Sequence, residues 1–555
     1  MGSFVAIWLA AGSILSAAPA FIDATTASGI RFVFNASKTP DKYLIEAMGG
    51  GVAMFDADGD GKLDLFFVNG AALKTGMTAE DRAEKVDSRY WNRIYRNQGD
   101  GGFVDITEKA GLRGNGYGQG VAVGDCDNDG RPDLFVTALG GNTLYRNQGN
   151  AVFEDVTAKA GVKGSGWSTS AGFIDFDRDG NLDVFVARYL DWDFGKNKRC
   201  GGEGPLRQAY CHPNEFGAAE HLLYRNAGGC KFEDVTAKAG IAKSPGKGLG
   251  VAFHDVDRDG WPDIFVANDS FPQQLFRNKH DGTFEEIALS MGAAYDDDGK
   301  VFAGMGVDFA DYDNDGWPDV FVNALANQGY SLFRNAKGIF DYVSASAGVG
   351  VASKMHSGWG TRFLDFDNDG WRDLFVAQGH VMDNIELTQP SISYQEPPLL
   401  LRNVTAKFVD VSAKAGTPFT EAMAGRGTAF GDLNNDGAID IVISTSTGGP
   451  RILRNNAPTA SGNNWLLVDT IGTKSNRDGI GASLRIVTAS GKERFGFVST
   501  AGSYLSAHDK RVHFGLGKDR EVKLLEVRWS SGAVQTWKDI PANQIFTAKE
   551  SAAAQ

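Results

Sequence analysis

One acidic nonapeptide, written seven times, constrains this chain more than anything else in it. The copies begin at Asp56 (DADGDGKLD), Asp125 (DCDNDGRPD), Asp175 (DFDRDGNLD), Asp255 (DVDRDGWPD), Asp311 (DYDNDGWPD), Asp365 (DFDNDGWRD) and Asp432 (DLNNDGAID). Each places oxygen-bearing side chains at positions 1, 3, 5 and 9 and a glycine at 6, the spacing that wraps a loop around one Ca²⁺, with position 7 adding its backbone carbonyl. The expected ligands are Asp56, Asp58, Asp60 and Asp64; Asp125, Asp127, Asp129 and Asp133; Asp175, Asp177, Asp179 and Asp183; Asp255, Asp257, Asp259 and Asp263; Asp311, Asp313, Asp315 and Asp319; Asp365, Asp367, Asp369 and Asp373; and Asp432, Asn434, Asp436 and Asp440. Asn434 is the one neutral donor, so the seventh site is expected to be weaker. Asp, Asn and Gly also gather in ordinary turns, but chance turns do not repeat one spacing seven times.

The charge balance follows from the loops. The chain carries a net −14, and seven Ca²⁺ would formally neutralise it. No basic stripe is present to meet phosphates, which argues against nucleic acid as a partner.

The surroundings of the loops repeat as well, which turns a motif into an architecture. Five residues before each first Asp stands a glycine (Gly51, Gly120, Gly250, Gly306, Gly360, Gly427), with Ser170 the one substitute. After position 9 comes a short β-branched and aromatic run such as LFFV from Leu65 or VFV from Val320, the composition of a buried strand. Next is a strand ending in Arg-Asn, closing at Asn97, Asn147, Asn226, Asn278, Asn335, Asn403 and Asn455. A fourth strand of the type FVDIT begins at Phe103, Phe153, Phe232, Phe284, Phe340 and Phe408. Four short antiparallel strands per repeat predict an all-β fold, a seven-bladed β-propeller over 21–457. The seventh repeat lacks its fourth strand, yet FIDAT stands at Phe21–Thr25. This segment is expected to pair beside Arg451–Asn455 and close the ring.

In an up-and-down blade the calcium loops share one face and the second-to-third connections share the other. Three of the latter are expanded, from about Ala71 to Trp91, Tyr189 to His221 and His380 to Pro398. Two readings are open: a face that binds an extracellular protein or polysaccharide, since loops on a rigid scaffold commonly carry binding, or a simple cover for the ring.

Beyond Pro458 the charge changes sign: 13 basic against 8 acidic residues over 460–549 give +5 and leave −19 for the rest. Alternating apolar runs here predict a small C-terminal β-sandwich, 463–549, without a calcium loop. Its charge could dock it on the acidic propeller, or it could be a tethered module.

Residues 1–20 read as a signal peptide ending in Ala18-Pro19-Ala20, though without Lys or Arg near the start. No later run is long and apolar enough to span a membrane, so a secreted or periplasmic protein is expected. Of four cysteines, Cys200 and Cys211 share one polar insertion and are expected to form a disulfide in an oxidising compartment. Cys126, at position 2 of a loop, is expected as a small buried side chain, and Cys230 has no assigned partner.

The loops with their Gly-led strands resemble the FG-GAP and VCBS repeats of integrin α-chain propellers. The stretch TKSNRDGIGASLRI, on through Tyr504, Leu505 and Ser506 to VHFGLG and VRWSSGAVQTW, resembles the ASPIC/UnbV domain. Together they resemble the cartilage acidic protein (CRTAC) family. That resemblance implies a secreted calcium-binding protein of cell adhesion or extracellular interaction, with ligand contact away from the metal loops. No catalytic residue set is expected: HExxH, GxSxG and Walker-type patterns are missing from the sequence. A glycan-processing or other hydrolytic enzyme on the insertion face is the alternative, with His212 and His380 joining Asp383 or Glu386.

Overall fold

The computed structural model describes residues 20–202, 204 and 208–551, so the expected signal peptide lies outside them except for Ala20. The fold is all-β. Seven antiparallel sheets run through the repeats, each in the order strand, acidic loop, strand, Arg-Asn strand, outer strand, and the fourth adds a short fifth strand, Phe302–Ala303. In the first sheet these are Val52–Phe55, Asp64–Phe67, Arg93–Asn97 and Phe103–Asp105. The seventh takes its outer strand from the other end of the chain: Phe21 pairs with Asn455, Ile22 with Arg454 and Asp23 with Leu453.

The first strand of each sheet lies beside the first strand of the next, and that of the seventh, Gly425–Gly431, lies beside Val52–Phe55 of the first. This propeller-like arrangement explains the small residue five before each loop. A Cβ on Gly306 would fall 1.9 Å from the Trp359 carbonyl oxygen, and one on Gly427 would fall 2.4 Å from that of Gly50. At Ser170 the side chain is used instead, its hydroxyl accepting the Leu505 N–H at 2.9 Å.

Leu505 comes from the C-terminal region. There a three-stranded sheet (Val512–Gly517, Asn464–Ile471, Gln544–Lys549) and a four-stranded sheet (Glu493–Phe497, Ser483–Thr488, Glu521–Arg528, Val534–Pro541) share one apolar cluster containing Leu466, Val468, Ile486, Phe514 and Val527. The connection from Thr500 to Asp509 reaches the first strands of six repeat sheets. Ala507 exchanges hydrogen bonds with Val52 and Met54, the Leu505 carbonyl accepts from Val121, and Ser503 exchanges bonds with Val307. The Ser503 hydroxyl accepts from Thr361, and the Asp509 N–H donates to Phe430. Tyr504 is fully buried, edge-on to Trp359, and donates to the Met48 carbonyl at 2.6 Å. Of the two readings for the C-terminal region, the structure shows docking.

At the insertion connections, the described parts of the expanded segments and residues 31–48 form one packed cover. Tyr43 meets Trp192 and Phe194, Lys38 and Lys42 both pair with Asp383, and Asn384 donates to the Gln208 carbonyl. Arg426, fully buried, stacks 4.0 Å over Trp359 and donates to the carbonyls of Ala47, Gly425 and His380. Cys200 and Cys211 form a disulfide within this cover. Cys126 is buried as expected, and it is bonded to Cys230, the cysteine left without a partner, tying the second acidic loop to the outer hairpin of the third sheet. Loop position 2 and that hairpin are 104 residues apart and meet only once the sheets stand side by side.

Candidate metal centres

Each acidic loop is a tight turn held by its own carboxylates. In six of the seven, the position-1 Asp accepts backbone N–H bonds from later loop positions: in the first loop Asp56 takes those of Gly59, Asp60 and Gly61, and in the fifth Asp311 takes those of Asp315 and Gly316. The position-6 glycines lie at φ between +81° and +91°, where a side chain would be strained. In all seven loops the position-5 Asp accepts the N–H of position 7.

The position-9 aspartates (Asp64, Asp133, Asp183, Asp263, Asp319, Asp373, Asp440) are buried and anchor the repeat. One oxygen accepts the N–H of position 2 at 3.0–3.1 Å. The other accepts the N–H of the Asn ending the Arg-Asn strand at 2.7–2.8 Å. Lone pairs remain on both oxygens for a cation.

That Asn also does something the sequence reading missed. Its side-chain amide donates at 2.8–2.9 Å to the position-2 carbonyl of the preceding repeat's loop: Asn147 to Ala57, Asn226 to Cys126, Asn278 to Phe176, Asn335 to Val256, Asn403 to Tyr312, Asn455 to Phe366, and Asn97 back to Leu433 of the seventh. The signal was present, an Asn at one fixed place in every repeat. The neighbouring Arg was missed too. Arg225 reaches Asp177 and Asp179 at 2.5 and 2.8 Å, and Arg334 and Arg402 clamp positions 3 and 5 of their loops likewise.

The donor sets converge. In the first, second and third loops one carboxylate oxygen from each of positions 1, 3 and 9 lies within 4.8 Å of the other two, and in the fourth the same holds for positions 1, 3 and 5. Burial pushes the acids up: Asp125, Asp175 and Asp311 to about 7, Asp365 to about 8, and Asp255 and Asp432 to about 6. Clustered carboxylates this buried are poorly stabilised as anions by protein alone, and a bound cation supplies what is missing. In five loops the position-3 carboxylate keeps one buried oxygen without a hydrogen-bond partner, at Asp58, Asp127, Asp177, Asp257 and Asp367. All-oxygen donor sets of this kind fit a hard divalent cation such as Ca²⁺.

The hydrolase candidates serve local bonds. His212 Nδ1 accepts from Asn214, His380 Nδ1 from Met382 and Glu386 from Tyr394, while Asp383 holds its two lysines.

Sheets that each carry an acidic loop between their first two strands define an FG-GAP-type repeat protein. The chain belongs to the FG-GAP-like repeat family, whose profile matches residues 56–136, 125–186, 255–322, 311–376 and 365–443. The ASPIC and UnbV profile matches 472–555. Among curated relatives, cartilage acidic protein 1 of Xenopus tropicalis is 29% identical over 320 residues, 55% of this chain and 45% of that protein. The Homo sapiens protein of the same name is 27% identical over 324 residues, 54% of this chain and 43% of its own length. The match thus spans less than half of these relatives. Among solved structures, YCF48 bound to D1 peptide covers 74% of this chain and 93% of its own, at 7% identity and a TM-score of 0.39.

Proposed function

We propose that this protein is a secreted or periplasmic calcium-binding interaction module. Residues 21–457 form a closed seven-bladed propeller with about one Ca²⁺ in each acidic loop, and 463–549 form a β-sandwich seated on the loop face. The observation that carries the reading is the buried, unpartnered position-3 oxygen repeated in five loops. Such an atom is costly unless something binds it. Two disulfides, with no free cysteine among the described residues, favour an oxidising compartment. No described helix is long and apolar enough to cross a membrane. With the loop face occupied by the C-terminal region, the insertion face is where an extracellular protein or polysaccharide would bind, in an adhesion or interaction role.

Metal analysis of the full chain after dialysis against calcium is expected to give about seven ions per molecule. Each ion stabilises the fold by about 2.7 kcal/mol at a hundredfold excess over its Kd, so EGTA should lower the melting temperature steeply. Equal melting curves in calcium and EGTA, or fewer than one ion per chain, would sink the reading.

A further inference from the structure

A cavity of about 790 Å³ lies between the fourth and fifth acidic loops and the C-terminal region. Its ionic lining is unbalanced in a particular way. The acids facing it are already engaged. Asp255 and Asp311 accept N–H bonds inside their own loops, Asp259 meets His280, both oxygens of Asp509 accept from Arg511, and Glu526 accepts from Arg528. Asp308 accepts the Phe363 N–H and feels Arg362 and Arg372 only at longer range.

Four guanidiniums lining the cavity have no ion-pair partner among the described residues. Arg362 makes no hydrogen bond among the described residues, and its Nη1 is buried without a partner. Arg258 is exposed, its guanidinium 5.2 Å from the Trp317 ring centroid and beside Gly316 of the fifth loop. Arg372 donates to the His513 carbonyl and Arg178 to that of Ser530. Like charges around a semi-enclosed space raise one another's energy, and guanidinium forks match planar or tetrahedral oxyanions.

We propose that this cavity is a binding site for a small oxyanion-bearing ligand, a carboxylate, sulfate or phosphate ester, held by Arg362 and Arg372 with Arg258 and Arg178 adding to the field. The Trp317 and Phe495 rings that also line it would pack against the remainder of such a molecule.

The test is calorimetric titration of the full-length protein with glucuronate, inorganic sulfate and inorganic phosphate, which separates the three sources. Runs in calcium and in EGTA, with metal content measured in parallel, keep loss of the ions distinct from loss of the anion site. Saturable one-site binding of at least one anion is expected. Arg362→Gln should weaken it at least tenfold. Arg258→Ser, a change at an exposed side chain, should weaken it at least threefold with the melting temperature in calcium unchanged. The proposal is overturned if none of the three anions binds the calcium-loaded protein, or if binding is the same in wild type and Arg258→Ser.

Discussion

The first and sixth acidic loops share one motif and live in different surroundings. In the first, Gly59, Asp60 and Gly61 are exposed, Lys62 pairs with Asp60 at 2.7 Å, and Arg96 stays 3.9 Å from Asp58. In the sixth, Asp365 and Asn368 are buried, and Arg402 lies 2.7 and 3.0 Å from Asp367 and Asp369. The C-terminal region sits on this loop: Arg372 donates to the His513 carbonyl, and the Gly517 N–H donates to Asn368. The motif sets the donor atoms, whereas the region docked on them sets how far water and solutes can reach. In the ion-bound protein the first loop should exchange its cation quickly and the sixth slowly.

The sharpest way to break that contrast is at Gly515. A Cβ there would fall 1.9 Å from Asp365 Oδ2 and 2.7 Å from the Asn368 backbone. Gly515→Val should prise the C-terminal region from the sixth loop, costing about 1–3 kcal/mol as overpacking does. Terbium is a suitable probe, because Trp261, Trp317 and Trp371 at position 7 can sensitise its luminescence in the fourth, fifth and sixth loops while the first loop has Lys62 there, and the phase lost in Trp371→Phe reports the sixth loop. Faster terbium release on adding EGTA is expected for Gly515→Val. An unchanged slow phase would mean that the docked region does not control access.

The comparison also has a pH signature. Burial raises position-1 and position-9 acids above their ordinary range, Asp64 of the first loop to about 7 and Asp365 of the sixth to about 8. A folded-state pKa above the unfolded value means that the native chain binds more protons. The contribution is complete below the unfolded carboxylate pKa and is lost as pH rises through the folded value. Without calcium, stability should therefore fall between about pH 4 and pH 8. With calcium the dependence reverses, since the ion needs the carboxylates ionised, and both loops should gain affinity as pH rises through the folded values. Melting temperatures at pH 5 and 7.5, each in calcium and in EGTA, test the sign. A metal-free protein that grows more stable toward pH 7.5 would show that the loop acids are not held this way.

What the sequence made legible was whatever repeats or sits within a single turn. The Asp spacing, the Gly-led strands and the pairing of Phe21–Asp23 with Arg451–Asn455 belong to that class, the last because a strand missing from one repeat had a spare copy at the other end of the chain. What stayed hidden depends on how repeats stand against one another. The Asn latch joins loop and strand of neighbouring sheets, Cys126 and Cys230 meet across the same boundary, and the Thr500–Asp509 connection reads as an ordinary Gly- and Ser-containing loop until six strands close around it. The opposite charge of the C-terminal region hinted at docking. It could not say that Tyr504 and Leu505 would be among the most buried side chains in the molecule.

The seventh loop gives the smallest and most discriminating effect. It too is covered, with Arg511 bonded to Asn435 and His513 facing the Gly437 carbonyl, so cover alone would place it with the sixth. Its position 3, however, is Asn434, whose side-chain amide is spent on Asp436 at 2.8 Å. If ligand charge governs affinity, Asn434→Ala should cost little, within about 0.5–1 kcal/mol in calcium as a single modest hydrogen bond would. Asp315→Ala, which removes a charged donor from the fifth loop, should cost about the value of one ion, 2–3 kcal/mol at saturating calcium. The unfolding midpoints of the two variants in urea, with and without calcium, decide the matter. Equal losses in calcium would mean that the covering region, rather than the ligand set, dominates the energetics of these loops.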